Sequence, residues 1–171
     1  LGRLPIIAED LGLITAEVEA LRDSLGLPGM RVLQFAFGDE SGTNCHWPHN
    51  YVKNCAAYTG THDNETSRGW YEAARDKQQS EESWRRERSR AREYLGSDGT
   101  NIAWDMLRAI HASVANTCVV PMQDLLGLDA SARMNTPGTP TGNWRWRLDR
   151  SLVTPELTER LTALTEIYGR G

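Results

Sequence analysis

The 171-residue sequence has the composition of a globular protein, with 39% hydrophobic and 25% charged residues. It contains no apolar run of the 18 or more residues that a membrane span needs, which excludes a membrane as an expected partner. The formal net charge of −4 gives no basic surface for phosphate backbones, so nucleic acid is also excluded as an expected partner. The chain starts at Leu1 without an initiator methionine and enters strand-like sequence at once, so we expect a fragment of a larger fold.

Predicted strands and helices alternate along the first third of the chain. We predict a buried strand at residues 6–8, then a helix at 15–22 whose acidic residues come early and whose basic residue comes late. Alternating apolar residues predict a second strand at 30–37. Residues 39–50 contain glycine, proline and short polar side chains, which is typical of a surface loop. The apolar run at 52–58 predicts a third strand.

The remaining sequence continues this alternation with longer connections. Residues 72–92 are crowded with Arg, Glu, Gln and Ser and predict a solvated helical excursion. An amphipathic helix at 102–110 and a buried strand at 117–122 follow. Residues 129–146 predict a long ordered loop, and 154–168 a terminal amphipathic helix with a proline in its first turn. Four strands separated in this way predict an α/β fold with an incomplete parallel sheet, as in half of a (β/α)8 barrel.

Polar residues follow two of these strands. Glu9 closes the first apolar run, and the segment 59–64 (TGTHDN) closes the third. Because the carboxyl ends of parallel strands open onto one rim, Glu9 and Asp63 are expected to meet at one substrate. Desolvation at the end of an apolar strand would raise the pKa of Glu9 into the range of a general acid for glycoside cleavage. Asp63 suits charge stabilisation, with His62 and Asn64 as hydrogen-bond donors to sugar hydroxyls.

Structural roles remain open for the same residues. Glu9 and Asp10 could form a polar strand exit in which Asp10 bonds backbone amides, and Asp63 could be a turn or cap residue. Trp144 and Trp146 could stack on sugar faces or pack their loop against the rest of the fold. The sequence contains no H-x-x-x-H, H-E-x-x-H, G-x-G-x-x-G, Walker A or G-x-S-x-G pattern, so it predicts no metal or dinucleotide site.

Five segments resemble the 4-alpha-glucanotransferases called amylomaltase or disproportionating enzyme, glycoside hydrolase family 77. They occur in the family's order and at similar spacing up to about Trp146: residues 7–12 (IAEDLG), 28–35 (PGMRVLQF), 48–50 (PHN), 59–64 (TGTHDN) and 133–144 (RMN to GNW). The sequence is identified as a member of that family. The resemblance implies that residues 1–171 form the C-terminal portion of one catalytic domain, approximately strands five to eight of an incomplete (β/α)8 TIM barrel.

The resemblance also implies an α-retaining transfer of an α-1,4-glucan segment onto the 4-hydroxyl of an acceptor glucan or glucose. Glu9 matches the general acid/base, Asp63 the transition-state stabiliser, and His62 a contact to the sugar beside the scissile bond. The family's nucleophilic aspartate lies on an earlier strand, and no residue of this chain matches it. We therefore predict that the chain alone is inactive.

Further expectations rest on the same resemblance. The secondary substrate-binding candidates are Asn64, Asp10, Phe35, Asp39, His49 and Asn135. The expected substrates are malto-oligosaccharides and starch- or glycogen-derived glucans with glucose as acceptor, and no metal, organic cofactor or obligate protein partner is expected. Three cysteines without a zinc or disulfide spacing favour a reducing compartment, either a cytoplasm or a plastid stroma. An α-glucan hydrolase and a non-catalytic glucan-binding remnant are the alternatives.

Overall fold

The computed structural model describes residues 5–75 and 79–171. Its sheet has three parallel strands in the order β1 (Gly29–Val32), β2 (Cys55–Tyr58) and β3 (Thr117–Val119). The register pairs the last residue of β2 with the last residue of each neighbour, so all three strands end at the same edge. The parallel α/β character predicted from the sequence is therefore confirmed.

The described residues also form six α-helices. Their bounds are α1 (Ala16–Ser24), α2 (Ser67–Glu72), α3 (Glu81–Leu95), α4 (Ile102–His111), α5 (Met122–Leu125) and α6 (Pro155–Ile167). The helices predicted at 15–22, 102–110 and 154–168 are confirmed as α1, α4 and α6. Helix α4 contacts α2, α3, α5 and α6, which makes it the centre of the helical packing. No helix in the two described ranges is long and apolar enough to cross a membrane.

The predicted strands were too long, and the first prediction was wrong. Residues 6–8 form no strand, although the Ala8 N–H donates to the Pro28 carbonyl at 2.9 Å. The strand predicted at 30–37 ends at Val32 because residues 33–35 turn into a 3-10 helix. The strand predicted at 117–122 ends at Val119, since Pro121 caps α5 and has no N–H to continue a ladder.

The prediction of a solvated excursion at residues 72–92 was wrong for one face of α3. Ala91 and Leu95 are buried in the main core, and Arg88 is buried beside them. The guanidinium of Arg88 lies 5.4 Å from the ring of Trp70 and 4.8 Å from that of Trp84. Cation–π contact and hydrogen bonds to backbone carbonyls make burial of this charge tolerable. Residues 76–78 of the excursion lie outside the described residues.

Two apolar clusters hold the sheet and helices together. The main cluster joins the sheet to α3 and α4 and includes Phe37, Trp47, Met106 and Ile110. The second consists of Trp104, Leu107 and Leu125, against which three leucines of α6 pack. Burial of each such large side chain stabilises the fold by about 1.5–3 kcal/mol. The apolar face of α6 thus packs against α4 and α5 and does not cover the edge where the strands end.

Candidate active site

A cleft of about 910 Å³ opens at the edge where the strands end. Tyr58 and Val119, the last residues of β2 and β3, line it together with Glu9, which follows the extended segment before α1. The loop after β2 contributes Asp63. Glu9 and Asp63 thus line one cleft, as expected, but only Asp63 follows a strand, because residues 6–8 form none.

The loop after β2 is tethered at both ends to one buried carboxylate. Asp124, which is 1% exposed, accepts hydrogen bonds from the Thr59 hydroxyl at 2.5 Å, the Ser67 amide at 2.7 Å and the Ser67 hydroxyl at 2.8 Å. Burial raises the pKa of Asp124, and these hydrogen bonds oppose that rise. Both ends of the loop that carries Asp63 are therefore held by Asp124.

The tip of this loop is shaped by its own side chains. The side-chain oxygen of Asn64 accepts hydrogen bonds from the Thr61 amide at 2.9 Å and the Thr61 hydroxyl at 2.8 Å. The buried amide of Gln34 donates to the Glu65 carbonyl at 2.9 Å and passes under Gly60. A Cβ at position 60 would lie 2.7 Å from the Gln34 amide nitrogen, so a larger residue there would displace the Gln34 side chain. Asn64 lines the cleft and also sets the shape of the turn.

Asp63 is also held by the loop that follows residue 132. The Asn135 side chain donates to Asp63 Oδ1 at 2.5 Å, and the Arg133 guanidinium donates to the Asp63 carbonyl at 2.9 Å. His62 Nε2 lies 3.2 Å from Asp63 Oδ1. About half of the Asp63 side chain remains exposed to the cleft. Asp63 is therefore oriented by neighbours while one face is free to meet a ligand.

Arg133 is a residue to which the sequence analysis gave no role. Its guanidinium also lies 3.4 Å from Glu65 and donates to the Asn135 carbonyl at 2.8 Å, so it bridges the two loops. Its place at the start of the RMN segment was the available signal. Of the described residues lining the cleft, four are carboxylates (Glu9, Asp63, Glu65, Asp124), whereas Arg133 supplies one permanent cation. Such a site disfavours anionic ligands and stabilises developing positive charge.

Glu9 is exposed, and the desolvation expected at the end of an apolar strand is absent. Its Oε1 accepts a hydrogen bond from the Leu11 amide at 2.8 Å. The reason is the missing first strand: the apolar residues Ile6 and Ile7 are themselves 48% and 40% exposed and bury nothing around the carboxylate. The apolar setting predicted for Glu9 was therefore wrong.

Asp10 lies beside Glu9 but does not line the cleft. Its side chain is 6% exposed and contacts the guanidinium groups of Arg22 at 2.5 Å and Arg31 at 3.2 Å, and it accepts the Met30 amide at 2.6 Å. Burial acts to raise the pKa of Asp10, but these donors and charges outweigh it and the pKa is lowered. Asp10 therefore anchors the Glu9 segment to β1 from a position outside the cleft.

The other secondary candidates separate into two groups. Phe35 lines the cleft and is 41% exposed, as an apolar platform requires. Asn135 reaches the site through Asp63. Asp39 and His49 do not line the cleft, because the Asp39 carboxylate binds Ser41 in a local turn and His49 binds the Tyr94 hydroxyl. Hydrogen bonds from Ser41 hold the pKa of Asp39 below its usual range. Within residues 5–75 and 79–171, no three His, Cys, Asp or Glu side chains cluster as a metal site.

The model of the 4-alpha-glucanotransferase family matches residues 1–153. The chain belongs to this family. It is 47% identical to a chloroplastic/amyloplastic 4-alpha-glucanotransferase of Arabidopsis thaliana, with 99% of this chain and 28% of the relative covered. It is 45% identical to the 4-alpha-glucanotransferase of Thermus thermophilus, with 99% of this chain and 33% of the relative covered. The resemblance read from the motifs is thereby confirmed.

A solved structure gives the same result. The amylomaltase of Streptococcus agalactiae in complex with acarbose superimposes with a TM-score of 0.89 at 40% identity, covering all of this chain and 33% of the amylomaltase. The chain thus spans about a third of the length of the relatives it matches. Its three parallel strands and their helices correspond to a part of that larger fold.

Proposed function

We propose that this chain supplies the acid/base and the stabilising carboxylate of a 4-alpha-glucanotransferase. Glu9 is the general acid/base and Asp63 the transition-state stabiliser. The observation that supports the proposal is the shared cleft: in a chain of this family, Glu9 and Asp63 line the same cleft. Phe35, His62 and Asn64 line the same cleft and are proposed to contact the sugar.

The proposed chemistry is a double displacement with retention. A carboxylate nucleophile attacks the anomeric carbon while Glu9 gives its proton to the departing 4-oxygen, and a covalent glucosyl intermediate forms. Glu9 then takes the proton of an acceptor 4-hydroxyl, whose oxygen attacks the anomeric carbon and releases the nucleophile. Asp63 faces the positive charge that develops on the sugar ring at both steps, and the acidic character of the cleft supports this role.

The nucleophile is proposed to come from outside this chain. Residues 1–171 are proposed as the C-terminal portion of one catalytic domain, approximately strands five to eight of a (β/α)8 barrel. Support comes from the three parallel strands and from the third of the amylomaltase structure that the chain covers. Without a residue to trap the glucosyl group, the chain alone is expected to transfer nothing.

The proposed substrates are neutral α-1,4-glucans, such as malto-oligosaccharides and starch or glycogen fragments, with glucose as an acceptor. The excess of carboxylates in the cleft argues against an anionic substrate, and these glucans carry no charge. The acarbose bound to the similar amylomaltase supports a sugar ligand. The proposed compartment is a cytoplasm or a plastid stroma, and the chloroplastic/amyloplastic relatives support the second.

The test is maltotriose disproportionation, followed as glucose and maltopentaose. It uses the chain alone and a chimaera in which this chain replaces the corresponding third of a 4-alpha-glucanotransferase relative. We expect transfer by the chimaera, a loss of about 10²- to 10⁴-fold on Glu9→Gln, and unchanged activity on Glu19→Gln at an exposed site of α1.

The products also separate the alternatives. Glucose with maltose and no maltopentaose would mean hydrolysis, because water would then be the acceptor. A folded chimaera that binds maltotriose without converting it would indicate a glucan-binding remnant. Transfer by the isolated chain would contradict the proposal that the nucleophile lies elsewhere.

A further inference from the structure

Trp144 has an unusual backbone conformation. Its φ is 61°, and it is the one non-glycine residue in the described ranges whose φ is positive. A bulky aromatic residue in the left-handed region is disfavoured sterically and persists only where its surroundings impose it. Such outliers concentrate at sites of function, so the position of this side chain needs an explanation.

The surrounding loop imposes the conformation. The Trp144 amide donates to the Met134 carbonyl at 2.7 Å, which closes the loop between residues 134 and 144. Inside it, the Asn143 side chain accepts the Thr136 amide at 2.9 Å and donates to the Thr139 hydroxyl at 3.0 Å. The loop is therefore braced by its own hydrogen bonds, and Trp144 stands at its closing point.

The ring of Trp144 is directed to the cleft and not to the core. It lines the cleft with Glu9 and Asp63, and the residue is 53% exposed. Its centroid lies 5.1 Å from that of His62 at an interplanar angle of 37°. Core packing therefore does not account for the strained backbone, because half of this large side chain is bare.

Trp146, two residues further on, provides a comparison within the same loop. It is partly buried, does not line the cleft and has no positive φ. Partial burial outside the cleft gives Trp146 no place at the proposed site. Of the two tryptophans, only Trp144 combines strain, exposure and a place in the cleft.

We propose that Trp144 is a binding platform for one glucosyl ring in the cleft, a role that rests on the function proposed above. The pyranose ring of an α-glucan has an apolar face of C–H groups that can lie on an indole, while its hydroxyls meet the polar atoms of His62 and Asp63 beside it. The left-handed backbone is the conformation in which the indole lines the cleft.

This role predicts an uncommon separation of stability from binding. Glycine adopts a positive φ without strain, so Trp144→Gly removes the platform and relieves the backbone together. We expect the thermal midpoint of this variant to be unchanged or higher, whereas its affinity for glucan falls about tenfold. A tryptophan that only packed the loop would show the reverse, a lower midpoint with the affinity retained.

The experiment uses the chimaera defined above with Glu9→Gln, so that bound maltoheptaose is not consumed. Calorimetric titration with maltoheptaose and thermal unfolding are measured for Trp144→Gly, Trp144→Phe and Trp146→Phe. We expect an about tenfold loss for Trp144→Gly, a smaller loss for Trp144→Phe and a change within twofold for Trp146→Phe.

The outcomes separate this inference from the proposed function. Unchanged affinity in Trp144→Gly, in a chimaera whose Glu9-intact form transfers glucan, overturns the platform alone. A thermal midpoint that falls together with affinity in Trp144→Gly, with Trp144→Phe unaffected in both, also overturns it in favour of packing. A folded chimaera that neither binds maltoheptaose nor transfers glucan overturns both proposals.

Discussion

The two carboxylates of the candidate site are held in different ways. Asp63 belongs to a loop whose ends bind the buried Asp124, and its side chain and carbonyl are held by Asn135 and Arg133. Glu9 belongs to a segment without regular structure, followed by α1, a helix that buries none of its residues. One half of the site is thus embedded in the fold, and the other lies on its surface.

The difference shows where each position is determined. Contacts from three parts of this chain fix the geometry around Asp63. This side chain is therefore preorganised before any ligand binds. The position of Glu9 depends on the next residue, Asp10, which joins its segment to α1 through Arg22 and to β1 through Arg31 and Met30. Asp124 and Asp10 are therefore the corresponding anchors of the two halves.

The largest effect is expected at the anchor of the embedded half. Asp124→Ala leaves the hydroxyls of Thr59 and Ser67 and the Ser67 amide without their acceptor in a buried place. Because each unsatisfied buried donor is costly, we expect the free energy of unfolding to fall by about 3 kcal/mol or more. Urea unfolding of the 171-residue chain, followed by fluorescence, measures the change.

Asp129→Ala is the matched control for this substitution. Asp129 also accepts an amide and a hydroxyl, both from Ser131, at 3.0 and 2.6 Å, but it is exposed. Its loss is expected to cost about 0.5–1 kcal/mol, as for an ordinary cap. Equal costs at the two positions would mean that the burial of Asp124 does not set the difference between the halves.

An intermediate effect is expected at the anchor of the surface half. Asp10→Ala removes the shared acceptor of two guanidinium groups and one amide, which we expect to lower the free energy of unfolding by about 2 kcal/mol. In the chimaera, transfer should fall by about tenfold or more, since a displacement of Glu9 by about 1 Å is costly to proton transfer. Unfolding and maltotriose disproportionation measure the two consequences.

Asp23→Ala is the control for the Asp10 variant, because Asp23 binds the same Arg22 at 2.8 Å while 65% exposed. An exposed ion pair contributes about 0–1 kcal/mol, and we expect transfer to be unaffected. If Asp10→Ala retained full transfer in a folded chimaera, Glu9 would not depend on this anchor.

Most of this contrast between the two halves of the site could not be predicted from the sequence. The spacing of apolar residues predicts α4 and α6 well, since a helical stripe needs only a core to pack on. It fails at residues 6–8, where an apolar run does not become a strand because the structure offers it one hydrogen bond, from Ala8 to Pro28. Extended sequence needs a paired neighbour, and pairing is not a local property.

The candidate site could also be predicted only in part, because long-range contacts are not a local property of the sequence. Strand-end reasoning and motif resemblance point to Glu9, His62 and Asp63, which do line one cleft. The contacts that position Asp63 come from residues distant in sequence, such as Arg133, and the spacing of apolar residues does not reveal them. The left-handed backbone of Trp144 was equally hidden, because a tryptophan carries no sequence signal for positive φ.

The smallest effect we predict is a difference in acid response between the two anchors. The pKa of Asp10 is lowered in the folded chain, from a value of about 3.9 when unfolded. Its contribution to stability is therefore complete above that value and is lost as the pH falls through the lower, folded pKa. The stability advantage of the unsubstituted chain over Asp10→Asn should therefore stay constant from pH 6 to pH 4.5 and shrink as the pH falls to 3.

Asp124 should respond with the opposite sign, because burial raises its pKa. The folded state then binds its proton more readily than the unfolded state, so the advantage of the unsubstituted chain over Asp124→Asn should grow as the pH falls through the folded pKa toward about 3.9. Urea unfolding of the three proteins at pH 6, 4.5 and 3 measures both slopes. Parallel slopes for the two variants would show that the anchors do not differ electrostatically, and the contrast between the two halves of the site would then rest on packing alone.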